Sequence, residues 1–180
     1  MNRMYTKYKN EILTQLRKEF ELANIMEVPK LEKLSINAGI GGFRENRDAV
    51  DTFVNELTAF TGQKPFPRKA RLSISSFKIR QNDVVGYAVT LRGDKMWSFL
   101  DKLINVALPR VRDFRGVNDK AFDKNGNYSL GLKEHVIFPE VNANSTKGIR
   151  SLQVTMVFNS KNIDLNKALL SKLGMPFRKK

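Results

Sequence analysis

From Tyr5 onward the apolar positions Tyr8, Ile12, Leu13, Leu16 and Phe20 recur at steps of three and four, which predicts an amphipathic helix stopped by Val28-Pro29. Leu34, Ile36, Ala38 and Ile40 then alternate with Lys33, Ser35, Asn37 and Gly39, the pattern of a strand with one buried face, ended by Gly39, Gly41 and Gly42. A second helix carries Val50, Phe53, Val54 and Leu57 and closes at Gly62. Residues 63–82 read as extended or looped around Pro65 and Pro67. Val85, Tyr87, Val89 and Leu91 predict another strand. Asp94 is the expected N-cap of a helix through Met96, Trp97, Leu100, Leu103, Ile104 and Ala107, ended by Pro109. Asn125-Gly126 marks a turn with strand-like runs nearby, including Glu134 to Phe138. Leu152, Val154, Met156 and Phe158 form a last alternating strand, and Leu165 to Leu173 a short closing helix.

Half-buried alternating strands mixed with amphipathic helices predict an α+β fold. The expected form is a two-layer single domain over residues 1–180, with a largely antiparallel sheet and the helices packed on one face. A basic loop is expected at 63–82 and a loop region at 109–149. Such a sheet leaves its other face free for a partner. Asn37 and Thr90 fall on the sides of their strands opposite Ile36 and Leu91, so both are expected on that free face.

Charge identifies the kind of partner. Lys and Arg total 32 against 18 acidic residues, a net charge of +14 over 180 residues. A compact body this positive repels itself, and a polyanion relieves the repulsion; nucleic acid is the first candidate and an anionic membrane surface the second. The span from Leu57 to Asn82 contains no acidic residue while carrying Lys64, Arg68, Lys69, Arg71, Lys78 and Arg80. Solvated faces normally mix both signs, whereas phosphate contact needs unopposed cations, with Phe66 and Phe77 among them as stacking surfaces. Arg110, Arg112 and Arg115 form a second cluster past a predicted helix end, where cations also complement the helix dipole.

The signatures of catalysis are missing. Cysteine is absent, which removes disulfides, thiolate zinc sites and a thiol nucleophile. His135 is the single histidine, with no second histidine for a metal site. Gly39-Ile40-Gly41-Gly42 invites a phosphate-loop reading but lacks the third glycine, because Arg44 stands there, and has no Gly-Lys-Ser/Thr ending. A sharp turn accounts for it better. No enzymatic activity, metal, cofactor or small-molecule substrate is expected. No run approaches the roughly 18 apolar residues of a spanning helix. The N-terminus lacks the apolar stretch of a signal peptide, so a cytoplasmic location is expected. A free-standing regulator would need a helix-turn-helix or a dimerisation stripe, and a processing enzyme would need clustered carboxylates.

Several motifs occur in order along the chain. They are Gly62-Gln63-Lys64-Pro65, Lys69-Ala70-Arg71, Phe77-Lys78-Ile79-Arg80-Gln81, Thr90-Leu91-Arg92-Gly93 and Met96-Trp97. Arg112-Asp113-Phe114-Arg115-Gly116, Phe122-Asp123, Gly126-Asn127-Tyr128-Ser129, Ile137-Phe138-Pro139-Glu140 and Pro176-Phe177-Arg178 follow. In this the chain closely resembles, over nearly its whole length, the bacterial-type large-subunit ribosomal protein five family.

The resemblance implies a ribosome-bound structural protein. Its expected partners are 5S rRNA, which it would anchor in the central protuberance, large-subunit rRNA, the P-site tRNA and a small-subunit head protein. By motif, Asn37, Gln63 and Thr90 look like the family's 5S RNA-reading positions, with Lys64, Arg68, Lys69, Arg71 and Arg92 around them. The loop Ser73 to Gln81 is similar to the family's tRNA-facing loop, with Ser75, Ser76, Phe77, Lys78 and Arg80 as its contacts. The segment Glu134 to Ser151 resembles the inter-subunit bridge region; Arg110, Arg112, Arg115, Glu134, Asn142 and Lys147 are the bridge candidates. The chain departs from the family pattern in two places. Arg68-Lys69-Ala70-Arg71-Leu72 redistributes the usual basic run, and 141–147 is neutral to basic where the family is usually acidic with a tyrosine.

Overall fold

The computed structural model describes residues 2–142 and 146–178. Five strands, β1 (Leu31–Gly39), β2 (Phe66–Lys69), β3 (Val84–Leu91), β4 (Tyr128–Leu132) and β5 (Leu152–Phe158), form one antiparallel sheet in the order β2-β3-β1-β5-β4. Register aligns Leu34 with Leu91 and Met156, and Ile36 with Val89 and Val154. These side chains are buried in a single apolar cluster with residues of the helices. The opposite sides of the same strands carry polar residues that are exposed or half-buried, such as Ser35, Asn37, Thr90, Gln153 and Thr155, with small buried Gly86 and Ala88 among them. The α+β class, the antiparallel sheet and the one-sided alternation expected from the sequence are all present.

The first helix is a composite of α1 (Arg3–Lys7), a π segment Tyr8–Ile12 and α2 (Leu13–Glu19). Its buried residues Met4, Tyr8, Ile12 and Leu16 step strictly by four. In a 3.6-residue helix that step drifts by roughly 40° each time. The wider π turn offsets the drift and keeps all four on the core face. The helix ends at Glu19, and Glu21 (φ 50°) turns the chain, so Val28-Pro29 is not the stop expected from the sequence. A 3-10 turn at Ile25–Glu27 intervenes, with Asn24 Oδ1 accepting from the Met26 N–H.

After β1, a five-residue turn over 41–45, opened by Gly41 and Gly42, leads to α3 (Arg47–Thr61), whose N-cap is Asn46 and whose C-cap is Gly62 at φ 67°. The glycines therefore stand away from the helix N-terminus, as the turn reading requires. The helix α4 (Gly93–Lys102) begins after Arg92 rather than at Asp94, which lies in its first turn. It continues through a π segment Leu103–Ala107 and a 3-10 turn Leu108–Arg110. Pro109 thus sits inside the last turn instead of ending the helix before it. An α-helical bond from residue 109 is impossible because Pro has no N–H, and the chain first widens and then tightens around that gap.

The run Glu134 to Phe138 is not a strand; it holds a 3-10 turn at His135–Ile137, with His135, Ile137 and Phe138 buried. The edge strand is β4, six residues earlier, and its neighbour at 121–123 curls around the Asp123–Asn127 turn. The closing helix α5 is Ile163–Lys172, capped by Asn162 Oδ1. Phe60 stacks face to face on Phe138 at 4.3 Å between ring centroids, joining α3 to the segment after that 3-10 turn.

Candidate nucleic-acid interface

The free sheet face is built of rows that cross the strands. One row runs Thr90, Ser35, Thr155, Ser129, a ladder of hydroxyls across four strands, with Ser129 and Thr155 hydroxyls 3.2 Å apart. The next runs Phe66, Ala88, Asn37, Gln153, Gly131, and beside it Arg68 pairs with Gly86, which pairs with Gly39. Between Phe66 and Gln153 the small residues Ala88, Gly86 and Gly39 leave the face flat, so a base or sugar edge can reach backbone and short polar groups directly. Gly86 admits no larger residue: a Cβ there would stand 2.7 Å from the carbonyl oxygen of Ala38.

Asn37 is exposed in the middle of this face, and Thr90 is half-buried in the row beside it. Gln63 lies 27 positions before Thr90 in the chain, yet its Nε2 donates to the Thr90 carbonyl at 3.3 Å. The three candidate reading residues therefore meet on one face and its rim. Lys64, Arg68, Lys69, Arg71 and Arg92 are exposed. The Arg68 guanidinium lies over the Phe66 ring, 5.4 Å from its centroid, and that ring is 63% exposed. An aromatic surface backed by a cation suits an unstacked base. Sequence reasoning did not single out Ser35, Ser129, Gln153 and Thr155; the alternation of Gln153 and Thr155 against Val154 and Met156 was the available signal.

The stretch 63–82 is more ordered than a loop. It contains β2 and then an arm closed by paired backbone bonds: Ala70 N–H to Asp83 O (2.8 Å), Asn82 N–H to Ala70 O (3.0 Å) and a reciprocal Ile74–Ile79 bridge. The tip is a 3-10 turn Ser75–Phe77 followed by Lys78 in the left-handed region. Lys78 and Arg80 are both exposed, as are Phe77 (70%) and Leu72 (74%). Arg44 donates to the Lys78 carbonyl and approaches Asp83 at 4.0 Å, tying the arm to the turn after β1. The arm is thus an apolar and cationic projection beside the sheet, with Ser75 and Ser76 exposed at its tip.

The bridge candidates divide. Arg112 and half-buried Glu134 line one groove at the free edge of β4, with Arg110 and Arg115 exposed on the same chain segment. Lys147 instead reaches Asp48 of α3 at 3.4 Å, and Asn142 lies in the segment before it. Residues 143–145 of the departing stretch 141–147 lie outside the described residues. His135 is buried and structural: Nδ1 accepts from the Arg150 N–H at 3.0 Å and Nε2 lies 3.0 Å from Glu56. Its backbone N–H in turn donates to the Arg150 carbonyl at 2.9 Å, so the pair holds the returning chain against the core.

Among the described residues no group of three or more His, Cys, Asp or Glu side chains could hold a metal ion, and no helix is long and apolar enough to cross a membrane. Sequence comparison agrees with the geometry. Residues 24–80 match the family model for ribosomal protein L5, and residues 84–177 match the separate model for the C-terminus of that ribosomal protein family. Strands of both matched segments lie side by side in the sheet. The large ribosomal subunit protein uL5 of Geotalea uraniireducens (strain Rf4) is 52% identical over 99% of both chains. Those of Geobacter sulfurreducens (51%, over 99% of both) and Macrococcus caseolyticus (47%, over 99% of this chain and 100% of its own) are similar. Such a protein is a structural, non-enzymatic part of the large subunit, which fits the ribosome-bound, cytoplasmic location expected from the sequence. The chain belongs to the uL5 family of large ribosomal subunit proteins.

Proposed function

We propose that the chain binds 5S rRNA on its free sheet face, presents its basic arm to the P-site tRNA, and meets a small-subunit head protein through the region of Arg112 and Glu134. The observation that carries the first part is the alignment of Asn37, Thr90 and the hydroxyl row on one open face, flanked by the acid-free β2 and arm. Asn37 supplies both a donor and acceptors to RNA groups. Lys64, Arg68, Lys69, Arg71 and Arg92 supply phosphate contacts around it, and Phe66 a stacking surface. Neighbouring large-subunit rRNA shares the same electrostatic attraction.

The division follows from chemistry. Reading RNA needs short, fixed polar groups on a rigid sheet. Contacting a tRNA backbone needs only reach and positive charge, which the arm supplies through Lys78 and Arg80. The test of the RNA face is filter binding of purified 5S rRNA across salt concentrations. Neutralising about 6–10 phosphates releases their counterions and costs on the order of 10³–10⁵ in affinity between 50 and 200 mM salt. A nearly flat titration would contradict this electrostatic footprint.

A further inference from the structure

The strand β4 is an edge of the sheet, and only part of that edge is covered. Ser129 N–H donates to the Ala121 carbonyl at 3.0 Å and Asp123 N–H to the Asn127 carbonyl at 2.9 Å, so Asn127 and Ser129 turn their backbone groups away from β5. Gly131 is next in the same phase. Its N–H and C=O face the same way, and among the described residues neither has a hydrogen-bond partner. The segment that covered Ser129 has by then departed toward Asn118, whose carbonyl accepts from the Tyr128 hydroxyl at 2.7 Å.

In front of Gly131 lies a groove of about 600 Å³. Its far wall is the segment 108–121, with Leu108, Val111, Phe114 and Val117 lining the space. That wall is held in place: Val117 N–H donates to the Pro176 carbonyl (2.8 Å), and Arg178 N–H donates to the Val117 carbonyl (3.0 Å). The groove is therefore preformed. Arg112 and Lys133 stand at its rim against one carboxylate, Glu134.

We propose that this edge is a docking site for an extended segment of another protein, which adds to β4 as a further strand. The occupant has alternate apolar side chains that enter the groove and acidic residues at its ends that meet Arg112 and Lys133. Unpaired strand groups are the template for such addition, and natural edges are usually covered or blocked by charge. RNA does not satisfy a strand ladder or an apolar wall, so a peptide is the occupant that fits both. The inference rests on the reading of this region as protein-facing and adds the mode of contact and the chemistry of the partner.

The probe is a capped, fluorescein-labelled heptapeptide of alternating valine and threonine with glutamate at both ends, titrated with the full chain by fluorescence anisotropy. Saturable binding is expected, together with slowed hydrogen exchange of the Gly131 amide in the unmodified chain. Gly131→Ala, whose Cβ would meet nothing within 4 Å, should bind as the wild type does. Gly131→Pro removes the outward N–H, which an edge strand tolerates, and should weaken binding at least tenfold. Arg112→Glu should weaken the acidic probe and favour one ended by lysine. No saturable binding, an unprotected Gly131 amide, or equal binding by Gly131→Pro overturns strand addition, as does displacement of the probe by 5S rRNA. The two readings fail separately. If Gly131→Pro loses the probe while its large subunits join small subunits as well as those of Gly131→Ala, the docking site stands and the bridge reading falls.

Discussion

Gln63 donates from Nε2 to the main-chain carbonyl of Thr90 at 3.3 Å, so two candidate RNA-reading residues 27 positions apart are fastened to each other before any RNA arrives. The bond commits one hydrogen of the Gln63 amide and leaves its oxygen, and the Thr90 hydroxyl, for RNA. Gln63→Ala should therefore lower stability by about 0.5–1.5 kcal/mol as well as weakening RNA binding. Thr90→Val removes only the hydroxyl and should weaken RNA binding at nearly unchanged stability. Urea unfolding of both variants, beside 5S rRNA titrations, separates the two effects; equal stability losses would contradict the assignment.

Two tyrosines set an alkaline limit. Burial pushes the Tyr8 and Tyr128 hydroxyls up to about 12 from the ordinary 10.0, and each hydroxyl donates to a main-chain carbonyl, of Pro29 and Asn118 respectively. The folded chain favours the neutral phenols. Their stabilisation is complete below pH 10.0 and is lost as pH rises toward about 12. Ultraviolet titration should show these two ionising late, together with unfolding. Tyr128→Phe should flatten the fall in stability between those values while lowering the neutral-pH plateau through the lost hydrogen bond.

The close approach of β1 and β3 at Gly86 gives a steric prediction. A methyl group there meets the Ala38 carbonyl oxygen at 2.7 Å, a backbone atom that cannot rotate aside. Gly86→Ala should destabilise by about 1–3 kcal/mol, as overpacking does. Thermal unfolding monitored by circular dichroism is the check, and an unchanged midpoint would mean the strands can part there without cost.

Much of this fold was legible in the sequence because each major element carries one clean period. Leu34, Ile36 and Ala38 specify β1 and its buried side, as Val89 and Leu91 do for β3, and that placed Asn37 and Thr90 on the free face correctly. β2 was hidden by Pro65 and Pro67, because proline reads as a breaker unless the strand is known to be an edge with one unpaired side. Glu134 to Phe138 imitated a strand, yet tertiary contacts of His135 to Glu56 and Arg150 draw it into a turn. The true edge, Tyr128 to Leu132, does alternate but is short and broken by Gly131. The hydroxyl row of Ser35, Thr155 and Ser129 depends on register between distant strands, which no local pattern carries. The π segments were illegible for the same reason, since they follow from which residues the core demands on one face.

Charge should separate from reading in the salt dependence. Lys64→Ala and Arg68→Ala each remove a cation beside the sheet face. Each should weaken binding to any RNA and reduce the slope of log affinity against log salt by about one. A slope unchanged by either substitution would remove that cation from the footprint.

If the sheet face reads 5S rRNA while the arm faces elsewhere, Asn37 and Lys78 must differ in what their loss costs. Filter-binding titration of 5S rRNA with Asn37→Ala and Lys78→Ala at several salt concentrations decides this, after circular dichroism has shown both variants folded. Asn37→Ala should cost roughly 1–3 kcal/mol with an unchanged salt slope, because it leaves partner groups unpaired but removes no charge. Lys78→Ala should bind 5S rRNA as the wild type does. Wild-type affinity for Asn37→Ala with a large loss for Lys78→Ala would contradict the sheet-face reading and make the arm the RNA-binding surface.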